Sequence, residues 1–189
     1  MRKGYIALML KLASKERSAA FKTVALLEDG FLYLAVVPGL LIWLTGLVIR
    51  KFDFSSPLLL DRCLSAFGLG LGLFFLVWAT WAQLKLGRGT PHVAAPPVRL
   101  IVRGPYRLCR HPIQLGIMNY YLGLGAAFGD AAVGLIVYAL TFIGGSLYHR
   151  FVEEEELHRR FGRAYERYRR VTPFLIPRIR RAFRLRKKA

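Results

Sequence analysis

Four stretches of this chain are apolar enough to leave water, and the breaks between them limit what it can fold into. Residues 31–49 carry no charge over about 19 positions, enough to cross the hydrocarbon core of a bilayer. Residues 58–83 form a second run, with Asp61 and Arg62 at its outer end. Pro112–Phe128 and Ala131–Tyr148 form a third and a fourth, parted only by Gly129-Asp130, a turn signal. Lipid offers no partner to an open backbone, so spans of this kind are helical, and Pro38 inside the first is tolerated. The expectation is an all-α polytopic membrane bundle with about four transmembrane helices. An amphipathic C-terminal helix lying at the interface follows them.

Charge orients the bundle. Lys and Arg number 29 against 11 Asp and Glu. About six basic residues precede the first span, about six fall in 85–110, and more follow the fourth span. The 50–57 link has two and the Gly129 turn none. By the positive-inside rule, both termini and the 85–110 loop are cytoplasmic in an integral, multi-pass protein. The basic tail, residues 178–188, suits anionic lipid rather than nucleic acid, because apolar spans already account for basic flanks. Cys63 and Cys109 fall on opposite faces in this topology, so no disulfide is expected. Lys11 interrupts the N-terminal apolar stretch, which argues against a signal peptide. One membrane domain, 1–189, is expected. It comprises an interfacial segment (1–30), two spans (31–83), a core with the other two spans (84–177) and the tail (178–189).

Two motifs flank the third and fourth spans. Gly104-Pro105-Tyr106 and Arg110-His111-Pro112 lead into the third. Pro112 suits a first helical turn, where its missing N–H costs nothing, and free N–H groups there, with Arg107 and Arg110, favour an anion. After the fourth come Glu153-Glu154-Glu155-Glu156, Phe161-Gly162, Tyr165 and Tyr168. If Gly129-Asp130 is a hairpin turn, His111 lies roughly 27 Å back from it and Glu153 roughly 35 Å on. Both motifs then face each other at the cytoplasmic interface. Glu155 and Glu156 have Arg159 and Arg160 at i+4, the favourable order for helix ion pairs. Glu153 and Glu154 have no strong cation there, which leaves them for a cationic or polyhydroxylic ligand. Leu157, Phe161, Ala164, Tyr165 and Tyr168 share one helical face. The GxxxG spacings at Gly68–Gly72 and Gly125–Gly129 read as close helix packing. His92, His111, His149 and His158 show no metal spacing, and no metal is expected. No nucleotide-binding glycine motif or catalytic Ser-His-Asp order is present, and no catalytic residue is named.

Taken together, these motifs resemble the isoprenylcysteine carboxyl methyltransferase family of integral-membrane enzymes and, more distantly, the phospholipid N-methyltransferases. The resemblance covers roughly residues 84–177. It implies S-adenosylmethionine (SAM) bound at the cytoplasmic end and a lipid-like or prenylated acceptor entering from the bilayer. It places Gly104, Tyr106, Arg110, His111, Pro112, Gly116, Glu153 and Glu154 at the cofactor. One position departs: Gln114 stands where the family usually has tyrosine. With no obvious base for an amine acceptor, carboxyl O-methylation of an isoprenylcysteine-type substrate is the first expectation. Phospholipid N-methylation, a non-catalytic lipid-binding protein and a sterol-reductase-like enzyme using NADPH are the alternatives.

Overall fold

The structure is a computed structural model that describes residues 2–13, 16–52 and 55–177. The basic tail and the anionic-lipid contact expected of it lie outside the described residues. Among the described residues, seven α-helices follow in order: α1 Arg2–Ala13, α2 Ala19–Phe31, α3 Val37–Ile49, α4 Leu58–Ala82, α5 Pro112–Phe128, α6 Ala131–Tyr148 and α7 Glu154–Val171. No strand occurs among the described residues, so the fold is all-α. Three helical stretches are long and apolar enough to cross a membrane: Ala19–Phe52, Leu58–Gly87 and Ala131–Val171. At 17 residues, α5 is about 26 Å long, at the short end of spanning lengths. Trp43, Phe67, Val77 and Ile143 are each more than half exposed, as suits a surface solvated by lipid.

The described residues pack as two compact units. One holds segments 1–26, 77–113 and 147–177, the other 27–76 and 114–146. In the second unit the α5–α6 connection is the expected turn. Asp130 caps α6, its Oδ1 accepting from the Val133 N–H at 2.9 Å. Asp61 Oδ1 accepts from the Ala131 N–H at 2.8 Å, adding a carboxylate at the positive end of the same helix. Gly125 meets Gly134 so closely that a Cβ would lie 2.6 Å from the Gly134 Cα. Gly68 and Gly72 abut the backbone of α5 in the same way, while Gly70 touches nothing. The small residues are therefore packing positions, as their spacing suggested.

The first long helix departs from its expected start at residue 31. It begins at Ala19 and continues through a π turn, Leu32–Val36, into α3. Pro38 is the physical reason for the turn. It lacks an N–H, and its ring would crowd the Leu34 carbonyl in a regular helix. The carbonyls released there are taken up by α5: the Tyr120 hydroxyl donates to Leu34 O at 3.1 Å and the Tyr121 hydroxyl to Tyr33 O at 2.8 Å. Tyr121 also packs with Val133 and Val137 at the centre of this unit. Tyr120→Phe should lower stability in detergent by about 1 kcal/mol. In a Pro38→Ala background the penalty should shrink, because residue 38 then supplies an N–H. An undiminished penalty in that thermal-unfolding cycle would contradict this account.

Candidate functional site

The polar cluster lies wholly within the first unit and is assembled from four short segments. The 85–110 loop is held by its own backbone. Val98 donates to Gly87 O at 2.9 Å, and Thr90 donates to Ala95 O at 2.8 Å. Gly104 takes φ +60, a left-handed conformation that favours glycine, and opens the 3-10 turn Gly104–Arg107. That turn drives Tyr106 into a pocket with Ala79, Ala82 and Ile101. Gln83 Nε2 donates to its hydroxyl at 2.7 Å, and burial pushes the phenol above its ordinary range. The Tyr168 hydroxyl donates to Tyr106 O at 2.6 Å, tying the turn to α7. Cys109 is fully buried, and burial pushes its thiol up to about 12, so it is inert.

Arg110 is the fastener. Its backbone N–H reaches Pro173 O at 2.9 Å and Phe174 O at 3.1 Å. Its Nε donates to Glu154 Oε1 at 2.8 Å, and its Nη2 makes a second bond to the same carboxylate oxygen. Its Nη1 donates to Arg169 O at 3.2 Å and Thr172 O at 2.6 Å. The guanidinium also lies over the Phe174 ring. Both members of the Arg110–Glu154 pair are buried. Removing one leaves a lone charge in a dry site, at a cost of about 3–5 kcal/mol.

His111 sits between the two motif glutamates. Its Nδ1 is 3.3 Å from Glu153 Oε2 and its Nε2 is 3.7 Å from Glu154 Oε1. The ring stacks on His149 with centroids 4.3 Å apart and meets Phe174 edge-on at 4.9 Å. His149 Nδ1 also bonds Glu153 Oε2, four residues along a π turn, His149–Glu153, that joins α6 to α7. Pi turns recur at functional sites. Pro112 follows as the first residue of α5 and is fully buried.

Arg110, His111, Pro112, Glu153 and Glu154 are thus brought together, while Gly104 and Tyr106 support them from the adjoining turn. Gly116 belongs to the other unit. A Cβ there would lie 2.8 Å from Leu76 Cγ and 2.9 Å from Leu76 N, so it is a packing position. Gln114, also in that unit, is buried and donates to Thr141 O at 2.8 Å, so the departing residue straps α5 to α6.

Four expectations need correction. Glu153 and Glu154 are not short of partners. Glu154 also has Arg150 Nη1 at 3.7 Å and Arg169 Nε at 3.4 Å, and most of its partners are distant in sequence. Glu156 is buried rather than solvated, although its bond from Arg160 Nη1, 2.7 Å, is the one expected. The Arg110 guanidinium, expected to draw an anion, is engaged by Glu154 and two carbonyls. Finally, α7 is broken at Gly162, which takes φ +50 and ψ −128. Tyr165 and Tyr168 beyond the break are buried in the protein, while Ala164 is exposed.

The histidines need a separate correction. Their sequence spacing offers no metal constellation, yet the fold brings one donor atom each of His111, His149 and Glu153 within 4.8 Å of one another. His149, Arg169, Thr172 and Phe174 are members of the cluster that the motif reading omitted. Only His149 carried a local signal, at i−4 from Glu153.

Against this geometry, a family model described as phospholipid methyltransferase matches residues 62–164. The match spans more than half of the 189 residues and includes Arg110, His111, Pro112, Glu153 and Glu154. The chain belongs to the phospholipid methyltransferase family, the more distant of the two that its motifs resemble, and is a membrane methyltransferase by that membership. No curated protein and no solved structure matches it.

Burial works to lower the His111 pKa, but Glu153 and Glu154 outweigh it and hold the imidazole above its ordinary value. A raised folded pKa stabilises the fold fully below the unfolded value of about 6.5 and loses that contribution as pH rises through the folded value. The stability advantage of wild type over His111→Gln should therefore be largest below about pH 6.5 and shrink as pH rises above it. Denaturant unfolding in detergent checks it. An advantage that grows with pH would show that His111 is buried neutral.

Proposed function

We propose that the chain transfers a methyl group from SAM to a lipid-like acceptor at the cytoplasmic membrane interface. Carboxyl O-methylation of an isoprenylcysteine-type substrate is the primary reading. The observation that carries it is a buried polar cluster, built from both motifs, in which some polar atoms lack a hydrogen bond. His111 Nε2, Glu154 Oε2 and Tyr165 Oη are buried and make no hydrogen bond among the described residues. Buried polar groups in native folds are nearly always hydrogen-bonded, and each exception asks for an explanation. A ligand with an ammonium and a ribose diol supplies donors to the carboxylate and acceptors to the phenol.

The residues present therefore fit SAM. Glu153 and Glu154 are the natural holders of ammonium and hydroxyl groups, and Tyr165 and His111 are donors to oxygen. Arg110 fixes Glu154, so its contribution is positioning. When bound, SAM supplies an electrophilic methyl for in-line displacement. The protein's task is then to hold donor and acceptor in register. The surplus of Lys and Arg in 85–110 and beyond the fourth apolar stretch supports a cytoplasmic site in a four-span topology with both termini inside. A lipid tail would reach it through the bilayer.

Phospholipid N-methylation is the second reading, and one observation favours it. A carboxylate acceptor is favoured only where no base is at hand, whereas His149 and His111 stand beside Glu153. The His149 imidazole, when unprotonated, can take the proton that an ammonium headgroup must lose. The purified protein in lipid should transfer radiolabelled methyl from SAM to a prenylcysteine analogue or to phosphatidylethanolamine. His149→Ala should reduce an amine-directed activity at least tenfold more than a carboxylate-directed one, since only the amine needs a base. No labelled product from either acceptor, or from a total lipid extract, would overturn the enzymatic reading.

A further inference from the structure

We propose that His111, His149 and Glu153 form a binding site for a divalent transition-metal ion of the Zn2+ class. Two imidazoles and one carboxylate are a donor set that suits Zn2+ and leaves a fourth position open. Their charge, with both rings neutral, is minus one, so a divalent ion is drawn in. One donor atom from each of His111, His149 and Glu153 lies within 4.8 Å of the other two, and it is the Nδ1 of each histidine that approaches Glu153 Oε2. Donors on a tetrahedral ion with bonds of about 2.1 Å lie about 3.4 Å apart. The His111–Glu153 separation of 3.3 Å already meets that spacing. His149 and Glu153 are only half-buried, with side-chain exposures of 17% and 31%, so His149 can turn to complete the set and an ion has a path in.

A second observation is independent of the cluster's composition. Histidines that bind metal usually donate their other ring N–H to a carboxylate, which fixes the tautomer. In His111 the Nδ1 is the nitrogen near Glu153, at 3.3 Å, while Nε2 lies on the Glu154 side, 3.7 Å from Oε1 and without a hydrogen bond. Glu154 is itself clamped by Arg110. A proton kept on Nε2 leaves the Nδ1 lone pair for a metal. The π turn fixes the remaining geometry by carrying His149 and Glu153 on one short segment.

The proposal goes beyond methyl transfer and does not rest on it, because its probe is the metal alone. The full-length protein, free of any histidine tag, is titrated with Zn2+ in detergent against a chromophoric chelator. One ion per chain is expected, with Co2+ giving the visible absorption bands of a low-coordinate site. His149→Ala, His149→Gln and Glu153→Gln should each weaken Zn2+ at least tenfold. His158→Ala and Cys63→Ser should leave affinity unchanged. Zn2+ should also raise the unfolding temperature of wild type and not of His149→Gln, a readout that stands even if a variant is less stable. Zn2+ binding of equal strength in wild type and both His149 variants, or no binding by folded wild type, would overturn the proposal.

Discussion

The buried ion pair between Arg110 and Glu154 is the interaction on which the functional half of this protein depends. Arg110 lies 44 residues from Glu154 and about 60 from the carbonyls at its other end. One guanidinium therefore closes a loop, a helix and the 172–174 return onto one another. A buried pair of this kind adds little stability over an apolar substitute, yet losing one member is costly. Its use here is placement. It sets the Glu154 carboxylate against His111, and His111 in turn meets Glu153 and His149. His111, Glu154 and Tyr165 each keep a buried polar atom without a hydrogen bond.

The membrane imposes the other constraint. Helix backbones must satisfy themselves in lipid, and each irregularity in the second unit carries its own repair. Pro38 releases carbonyls, and Tyr120 and Tyr121 take them up. The turn at Gly129-Asp130 opens α6, and Asp130 and Asp61 cap the exposed amides. Gly68, Gly72 and Gly125 allow backbones to touch.

Much of this was legible in the sequence because the signals are local. The bounds of α5 and α6 follow from Pro112, from Gly129-Asp130 and from the apolar runs themselves. The motif residues Arg110, His111, Glu153 and Glu154 were legible as a set through resemblance. Their partners were not. Looking for a cation at i+4 misses Arg110, which arrives from another segment, and misses His149, which lies at i−4 and is charged only when protonated. The Gly162 break was hidden for a different reason. A glycine within a strongly polar helical pattern gives no sign of the φ it will adopt. The packing of Gly116 against Leu76 was not legible, because a motif glycine looks the same in sequence whether it meets a ligand or a neighbouring helix.

The central claim is that the cluster around His111 takes SAM, and isothermal titration of the purified, folded protein tests it most directly. The account predicts saturable binding of SAM and of its demethylated product, and none of NADPH. Glu153→Gln should weaken SAM roughly tenfold or more, as loss of a charged hydrogen bond of about 1.5–3 kcal/mol implies, while Glu155→Gln, on the exposed Arg159 pair, should not. Failure of the folded wild-type protein to bind SAM, or binding of NADPH in its place, would contradict it.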